Sequence, residues 1–368
     1  SWNARKCEVS GMNLKKKLLN KNKLCYTVVV AFYLVMQLLS MTVGLTRAVE
    51  GWLVPICVYV VAAIALNLVV GISGELSLGH AGFMSVGAFS GIIMSSWLLS
   101  AFDMQTTVLR LILALATGGV FAGIAGVLIG IPVLRLQGDY LAIVTLAFGE
   151  IIRNVLNCLY VSVEGRALHI SFNNPQVAGK MILNGPAGAT GVGKIALFSV
   201  GFALVIFTLF VVLNLINSRS GRAIMAIRDS RIAAESVGIN VTKYRMMAFV
   251  VSAVLAGMAG ALYGLNYSTV TASKFKFDTS ILVLVFVVLG GIGNIRGSII
   301  AAALLTVLPE LLRSFSDYRM LVYAIVLILV MLLTNNPTLK AFFRALREKL
   351  MPRRKKAAVS AQKGGNAK

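Results

Sequence analysis

The stretch from Asn67 to Gly91, NLVVGISGELSLGHAGFMSVGAFSG, decides how this sequence is interpreted, because it interrupts a long apolar region. It carries Glu75 and His80, and glycines recur at positions 71, 74, 79, 82, 87 and 91. A bilayer tolerates backbone that leaves the regular helix only where protein or a water-filled cavity surrounds it. The segment therefore indicates a break beside a transport pathway rather than a plain membrane span.

The composition is that of an integral membrane protein. Hydrophobic residues make up 58% of the chain and charged residues 13%, and the mean hydropathy is +0.85, whereas soluble domains carry about 25% charged residues. The net charge of +22 lies at the two termini and in one internal loop. This distribution argues against a nucleic-acid-binding face.

About ten segments are long and apolar enough to cross a bilayer, which takes about 20 residues. They are residues 24–46, 50–71, 77–100, 107–134, 139–161, 194–217, 246–268, 279–293, 297–315 and 318–335. The eighth is short and the fourth is long, so either could be re-entrant, broken or tilted. The expected fold is an all-α integral membrane protein with about ten transmembrane helices.

Lysine and arginine in the loops place both termini in the cytoplasm, because that orientation puts most of the 35 basic residues on the inner side. The chain then divides into a basic cytoplasmic segment (1–23), a transmembrane domain (24–335) and a basic cytoplasmic tail (336–368). Residues 162–193 are expected to form an extracytoplasmic loop, and residues 218–245 a cytoplasmic loop. Met12, which opens MNLKKKLL, is a plausible start of translation.

The cytoplasmic loop predicts a short helix from Arg222 to Val237. Gly221 opens it, and Gly238 stops it as a glycine after a helix does. Apolar and charged residues, among them Arg228 and Asp229, are mixed along it. Two interpretations remain open, a helix lying on the membrane surface and a helix that docks into a groove on another protein.

Ionisable residues inside apolar segments are candidate pathway groups. Glu150 and Arg153 are three residues apart and so lie on one face of a helix. Two interpretations remain open: they form a structural ion pair that locks two helices, or they line the pathway. His80 is more readily a satisfied structural group than a proton relay. His169 lies in the outer loop, so no metal site is expected.

A second glycine cluster, GGIGNIRG from Gly290 to Gly297, interrupts an apolar run as residues 71–82 do. Broken segments in the two halves of a chain suggest an internal repeat with a site near the membrane midplane. Other glycine pairs four residues apart, such as Gly87/Gly91 and Gly260/Gly264, predict close helix packing. The candidate pathway residues are Asn67, Gly71, Gly74, Glu75, Ser77, His80, Glu150, Arg153, Gly290 and Gly293.

One apparent nucleotide motif fails on its chemistry. Gly188 to Lys194 has the G-x-x-x-x-G-K spacing of a phosphate-binding loop, but Ile195 replaces the hydroxyl that would hold Mg²⁺. The stretch also falls on the outer side of the predicted topology. If ATP drives this protein, another subunit hydrolyses it.

Four segments together match a known family: GISGELSLGHAGF (71–83), GDYLAIVTLAFGEIIR (138–153), the stretch from Gly221 to Gly264, and VVLGGIGNIRGS (287–298). They resemble the permeases of Liv-type branched-chain amino acid ABC importers, and the second segment fits the LivM subunit type better than LivH. The resemblance covers about residues 50–335. It implies a bacterial cytoplasmic (inner) membrane location, a paired second permease, two cytoplasmic ATPases that hydrolyse ATP, and an extracytoplasmic substrate-binding protein.

The resemblance also implies that residues 218–245 couple the permease to its ATPases. Ala233, Ala234 and Gly238 keep the A-A-x3-G core of general ABC importer permeases, whereas Ile232 stands where a glutamate is usual, and the later I-x-L-P is absent. The candidate coupling residues are Gly221, Arg222, Arg228, Asp229, Ala233, Ala234 and Gly238. Liv-like permeases also serve urea, short amides and other amino acids.

The main alternative is a secondary transporter driven by protons or sodium through Glu75, Glu150 or His80, since broken helices suit it equally. A membrane scaffold without transport is a further alternative. The sequence contains no paired-carboxylate or Ser/His/Asp arrangement that would favour an enzyme.

Overall fold

The computed structural model describes residues 47–103, 106–136, 138–172, 179–312 and 321–328, and the positions 29 and 318. The basic termini (1–23 and 336–368) and, apart from position 29, the predicted first span lie outside the described residues. The chain forms two compact units, residues 1–307 and 308–368. In the second unit, residues 321–328 are helical, within the last predicted span.

The described part of the chain is mostly helical. The helices are α1 (Arg47–Asn67), a π-helix (Leu68–Ser73), α2 (His80–Phe102), α3 (Thr107–Val133), α4 (Asp139–Asn157), α5 (Phe198–Asn217), α6 (Arg219–Asp229), α7 (Arg231–Ser236), α8 (Val241–Gly264), α9 (Phe277–Gly290) and α10 (Ile295–Leu311). Among the described residues, five helical stretches are long and apolar enough to cross a membrane, namely Gly51–Ser73, His80–Phe102, Thr107–Val133, Phe198–Asn217 and Val241–Gly264. Each matches a predicted span, and the count of ten stays a prediction.

Helix α8 is the centre of the bundle and packs against α1, α2 and α3. Small residues permit this, because a side chain on Gly87 would overlap the carbonyl of Gly257, and one on Gly260 would overlap the carbonyl of Met84. A methyl group on Gly126 would come within 2.7 Å of the Ala253 Cβ. The predicted role of these glycines in close helix packing is therefore confirmed.

A five-stranded antiparallel sheet corrects the expectation of an all-α fold. Its strands are β1 (Leu159–Glu164), β2 (Ala167–Phe172), β3 (Lys180–Asn184), β4 (Ala189–Thr190) and β5 (Thr269–Val270), in the order β2-β1-β3-β4-β5. Helix α4 ends at Asn157, four residues before the predicted end of its span, because the chain enters β1 there. Gly165 makes the tight β1–β2 turn with φ of 59°.

Both glycine-broken segments leave the α-helix in the structure. The first becomes a π-helix that ends at Gly74, where φ is 77°. The second separates the 14-residue helix α9 from α10, with φ of 93° at Gly291 and 79° at Gly293. The predicted eighth span is thus a short helix followed by a turn.

The sheet and the short helices α6 and α7 lie at opposite ends of the bundle. Helix α5 leads from the strand β4 region to α6, and α8 leads from α7 towards β5. These helices contain 20 and 24 residues, and at about 1.5 Å per residue they separate the two ends by roughly 30–36 Å. The ends are called the sheet end and the arm end below.

Candidate functional site

The segment between α5 and α8 folds as two helices, α6 and α7, which together are called the arm. The sequence predicted one helix from Arg222 to Val237, but Ser230 is extended (φ −157°, ψ 109°) and caps α7 by accepting a hydrogen bond from the Ala233 N–H at 3.4 Å. Ser218 caps α6 in the same way. The arm ends before Gly238, whose φ is 80°, as predicted.

The predicted coupling residues divide between two faces of the arm. Gly221 and Ala234 are buried; a side chain on Gly221 would overlap the carbonyl of Leu215, and Ala234 packs with Ile227 and Val241. These residues hold the arm against the bundle. Arg222, Asp229, Ala233 and Gly238 are exposed, whereas the Arg228 side chain is 38% exposed and partly covered by the bundle.

Two large apolar side chains that the sequence reasoning did not select are highly exposed at the arm. Ile232 in α7 is 82% exposed, and Val237, directly after α7, is 76% exposed. Ile232 is also the residue that departs from the general ABC motif. Large apolar residues this exposed, on a polar helix, are typical of anchors at protein–protein contacts.

The two glycine-broken segments, predicted to form one site, pack directly against each other. Asn67 is fully buried; its Oδ1 accepts the Gly293 N–H at 2.9 Å, and its Nδ2 donates to Ser298 Oγ at 2.9 Å. A methyl group on Gly71 would overlap both Asn67 Oδ1 and the Gly293 nitrogen. Asn67, Gly71, Gly74, Gly293 and Ser298 are called the glycine junction below.

Arg228 connects the arm to the glycine junction. Its Nη1 donates a hydrogen bond to the carbonyl of Gly71 at 3.0 Å, and a methyl group on Gly74 would come within 2.5 Å of the Arg228 Cγ. Nε and Nη2 of the same guanidinium donate to Asp229 Oδ1. The arm therefore contacts the π-helical turn in which helix α1 loses its α-helical hydrogen bonding.

Glu75 forms a buried ion pair with Arg245, a residue that the sequence reasoning missed. The Glu75 side chain is 3% exposed and the Arg245 side chain 14% exposed. Burial raises the pKa of the Glu75 carboxyl, and the Arg245 guanidinium opposes that rise. The sequence did offer a signal for this partner. Arg245 lies in the first turns of an apolar span, and a charge that is buried there requires an opposite charge nearby.

His80 takes part in a hydrogen-bond chain that ties three helices together. The Ser252 hydroxyl donates to the Ala65 carbonyl at 2.5 Å, so Nε2 of His80 must donate to Ser252 Oγ at 2.8 Å. Nδ1 of His80 lies 3.3 Å from the Ser77 hydroxyl oxygen, within hydrogen-bond distance. Both ring nitrogens therefore have partners within the protein, which fits the structural interpretation of His80.

The remaining pathway candidates lie apart from the glycine junction or support it. Arg153 Nε and Glu150 Oε2 are 2.6 Å apart within α4, so the predicted ion pair forms on one helix rather than between two. Gly290 packs against Gly297 and Ser298, where a side chain would overlap the backbone. Gly290 thus permits the turn that brings Gly293 to Asn67.

Comparison with known proteins finds matches to transport permeases. The profile of a family described as "Branched-chain amino acid transport system / permease component" matches residues 48–331. The chain is 34% identical over 309 residues to the high-affinity branched-chain amino acid transport system permease protein LivM of Salmonella typhimurium, covering 75% of this chain and 66% of that protein, and to its Escherichia coli K12 counterpart with the same figures. It is 27% identical over 290 residues to LivH of Salmonella typhimurium, covering 74% of this chain and 88% of that protein. The chain therefore spans just under two thirds of the length of these LivM relatives, and no solved structure matches it significantly.

Proposed function

Because the chain belongs to the permease component family of branched-chain amino acid transport systems, we propose that it is the membrane-spanning permease subunit of an ATP-driven importer of leucine, isoleucine and valine. Two separate cytoplasmic subunits hydrolyse the ATP, and an extracytoplasmic binding protein delivers the amino acid. Similarity to both LivM and LivH supports pairing with a second, related permease. The assembly lies in the bacterial cytoplasmic (inner) membrane, with about ten spans and with the termini and the arm on the cytoplasmic side.

The observation that carries this proposal is that the arm has exposed apolar residues on one side and contacts the membrane helices on the other. Its outer face exposes Ile232 and Val237, which suit a groove on a partner protein. Its inner side holds the Gly71 carbonyl through Arg228. A secondary transporter has no need of a docking element at this position.

The proposed mechanism is alternating access. When ATP binding brings the two ATPases together, the arm moves with them, and Arg228 transmits that movement to Gly71. The π-helix and the α9–α10 turn, joined through Asn67 and Gly293, shift as one body relative to the rest of the bundle. π-Helical turns recur at functional sites, since their hydrogen bonding is readily rearranged.

The alternative, a carrier driven by protons or sodium, has less support. Glu75 is paired with Arg245, Glu150 is paired with Arg153, and both ring nitrogens of His80 have hydrogen-bond partners. A proton carrier needs a group that changes its protonation during transport, whereas the structure gives each of these groups a partner within the protein.

The test is co-purification of partner subunits from the native membrane in mild detergent. We expect a second permease and two ATPases to accompany the wild-type chain, and Ile232→Ser to reduce the recovered ATPase about tenfold, as loss of an interface anchor does. Ile170→Ser is the matched control, because Ile170 is 59% exposed on β2 at the sheet end.

Equal ATPase recovery with Ile232→Ser and Ile170→Ser would contradict docking through the arm. Recovery of the chain alone, with uptake in liposomes driven by an ion gradient, would establish the alternative. Retained ATPases without any second permease would contradict the paired arrangement.

A further inference from the structure

A polar pocket at the sheet end belongs to neither the arm nor the glycine junction. It lies between the end of α2, the start of α3 and the loop after β4, and its volume is about 60 Å³. Its polar lining includes Ser95, Ser100, Arg110, Lys180, Thr190 and the backbone around Gly193. The loop is part of Gly188 to Lys194, the motif that failed as a nucleotide site.

Arg110 is the group in this pocket that requires a ligand. It is 8% exposed, and among the described residues its Nε has no hydrogen-bond partner. No Asp or Glu is among the residues that line the pocket. A buried guanidinium without a counter-charge is costly, so the site is built for an anion that this part of the chain does not supply.

The geometry suits a planar oxyanion group. The guanidinium reaches the loop, because a side chain on Gly193 would come within 3.7 Å of Arg110 Nη2. Lys180 adds a second positive charge at the exposed side, and the serine and threonine hydroxyls add donors. Arginine binds a carboxylate through two parallel N–H groups, which explains arginine at the buried position.

Size and charge together favour a carboxylate group over a whole free amino acid as the ligand. A volume of about 60 Å³ holds roughly four water molecules, enough for a carboxylate group but too little for a whole branched-chain amino acid. The ammonium group of a zwitterion would also lie beside two cations with no anion among the lining residues. A carboxylate on a side chain that enters from outside meets neither difficulty.

We propose that this pocket receives an aspartate or glutamate side chain of the extracytoplasmic binding protein when that protein docks on the sheet end. The inference rests on the proposed function, which places the sheet end outside the membrane. It assigns to Arg110 the central charged contact of docking and to Lys180 a supporting contact at the rim.

The test measures the affinity of the cognate binding protein, loaded with leucine, for the complete transporter in lipid nanodiscs. We expect Arg110→Gln to weaken binding about tenfold or more, since loss of one partner of a buried charge pair has that effect. Lys180→Gln should weaken it two- to fivefold, roughly, and added salt should reduce the wild-type affinity. Arg166→Gln, an exposed change of the same type on the sheet outside this pocket, should stay within about twofold of wild type.

The outcomes are distinct. Binding by Arg110→Gln and Lys180→Gln that equals that of Arg166→Gln would overturn the pocket while leaving the importer intact. Unchanged binding combined with a raised half-saturating leucine concentration would also overturn it, in favour of a site for the transported amino acid. If the wild-type complex does not bind the protein at all, both this inference and the proposed function fail. Lys180 is exposed, so its variant reports on docking even if Arg110→Gln fails to fold.

Discussion

The guanidinium of Arg228 and the carbonyl of Gly71 are 157 positions apart in the sequence and 3.0 Å apart in the structure. The contact joins an exposed helix at one end of the bundle to the place where a membrane helix becomes a π-helix. If the arm moves, this hydrogen bond breaks unless Gly71 or the Arg228 side chain moves with it. The bond is a direct contact between the arm and the π-helical end of α1.

Removing that link should uncouple transport from ATP hydrolysis. In Arg228→Met the Gly71 carbonyl loses a charge-assisted hydrogen bond of about 1.5–3 kcal/mol, so we expect amino-acid uptake by the reconstituted transporter to fall roughly tenfold. ATP hydrolysis should fall less, because Ile232 and Val237 remain for docking. The measurement is uptake and hydrolysis in the same proteoliposomes.

Arg231→Met is the matched control for that experiment. Arg231 lies on the same arm but pairs with Glu235 at 3.0 Å, both of them exposed. Such surface pairs contribute about 0–1 kcal/mol, and we expect uptake close to wild type. A similar loss in both variants would show that the arm needs positive charge in general rather than the contact with Gly71.

The close packing of Gly71 against Asn67 leads to a second prediction, which concerns the thermal stability of the protein. Gly71→Ala places a methyl group where Asn67 Oδ1 and the Gly293 nitrogen already lie. Overpacking of this kind costs about 1–3 kcal/mol, so the melting temperature in detergent should drop. Gly51→Ala is the control in the same apolar stretch, since nothing lies within 4 Å of its added methyl group; its melting temperature should be unchanged or slightly higher.

The glycine junction was largely predictable from the sequence, because clustered glycines within an apolar run indicate a local break in a helix. The sequence placed breaks at residues 71–82 and 290–297, and both are present. It selected Asn67, Gly71 and Gly293, and the structure shows that they touch. Composition gave the five membrane-length helices to within a few residues, since each is a long apolar run between polar loops.

Other features depend on contacts between distant segments, which a single sequence does not show. Strand β5 is two residues long and pairs with β4 across 79 to 81 positions, through Thr190 ↔ Thr269 and Ala189 ↔ Val270. The partner of Glu75 was missed because Arg245 is 170 positions away. The break at Ser230 was missed because helix formers on both sides outweigh one capping serine in a sequence average.

The buried pair of Glu75 and Arg245 gives a third prediction. Glu75→Gln leaves the Arg245 guanidinium without a counter-charge and should cost about 3–5 kcal/mol of folding free energy. The double variant Glu75→Gln with Arg245→Met should recover most of that loss, because the unpaired charge is gone. Denaturation of all variants in one detergent measures the coupling between the two residues.

The exposed pair of Arg231 and Glu235 serves as the reference for this cycle, and its coupling should stay below about 1 kcal/mol. Coupling of the same size in both pairs would contradict the buried ion pair. If Glu75→Gln is as stable as the wild type, the buried ion pair is contradicted as well.

A substitution of His80 distinguishes transport driven by ATP hydrolysis from transport driven by an ion gradient. Since Nε2 of His80 donates to Ser252, a glutamine at this position can present an amide N–H to the same acceptor. His80→Gln should therefore keep uptake within about fivefold of wild type, with an unchanged pH profile, because a lost neutral hydrogen bond costs only about 1 kcal/mol. Ser252→Ala, which removes the acceptor, leaves the His80 donor buried without a partner and should lower stability by about 1–3 kcal/mol. If His80→Gln instead abolishes uptake while the melting temperature and ATPase association stay unchanged, His80 carries protons, and the ion-coupled carrier displaces the ATP-driven importer.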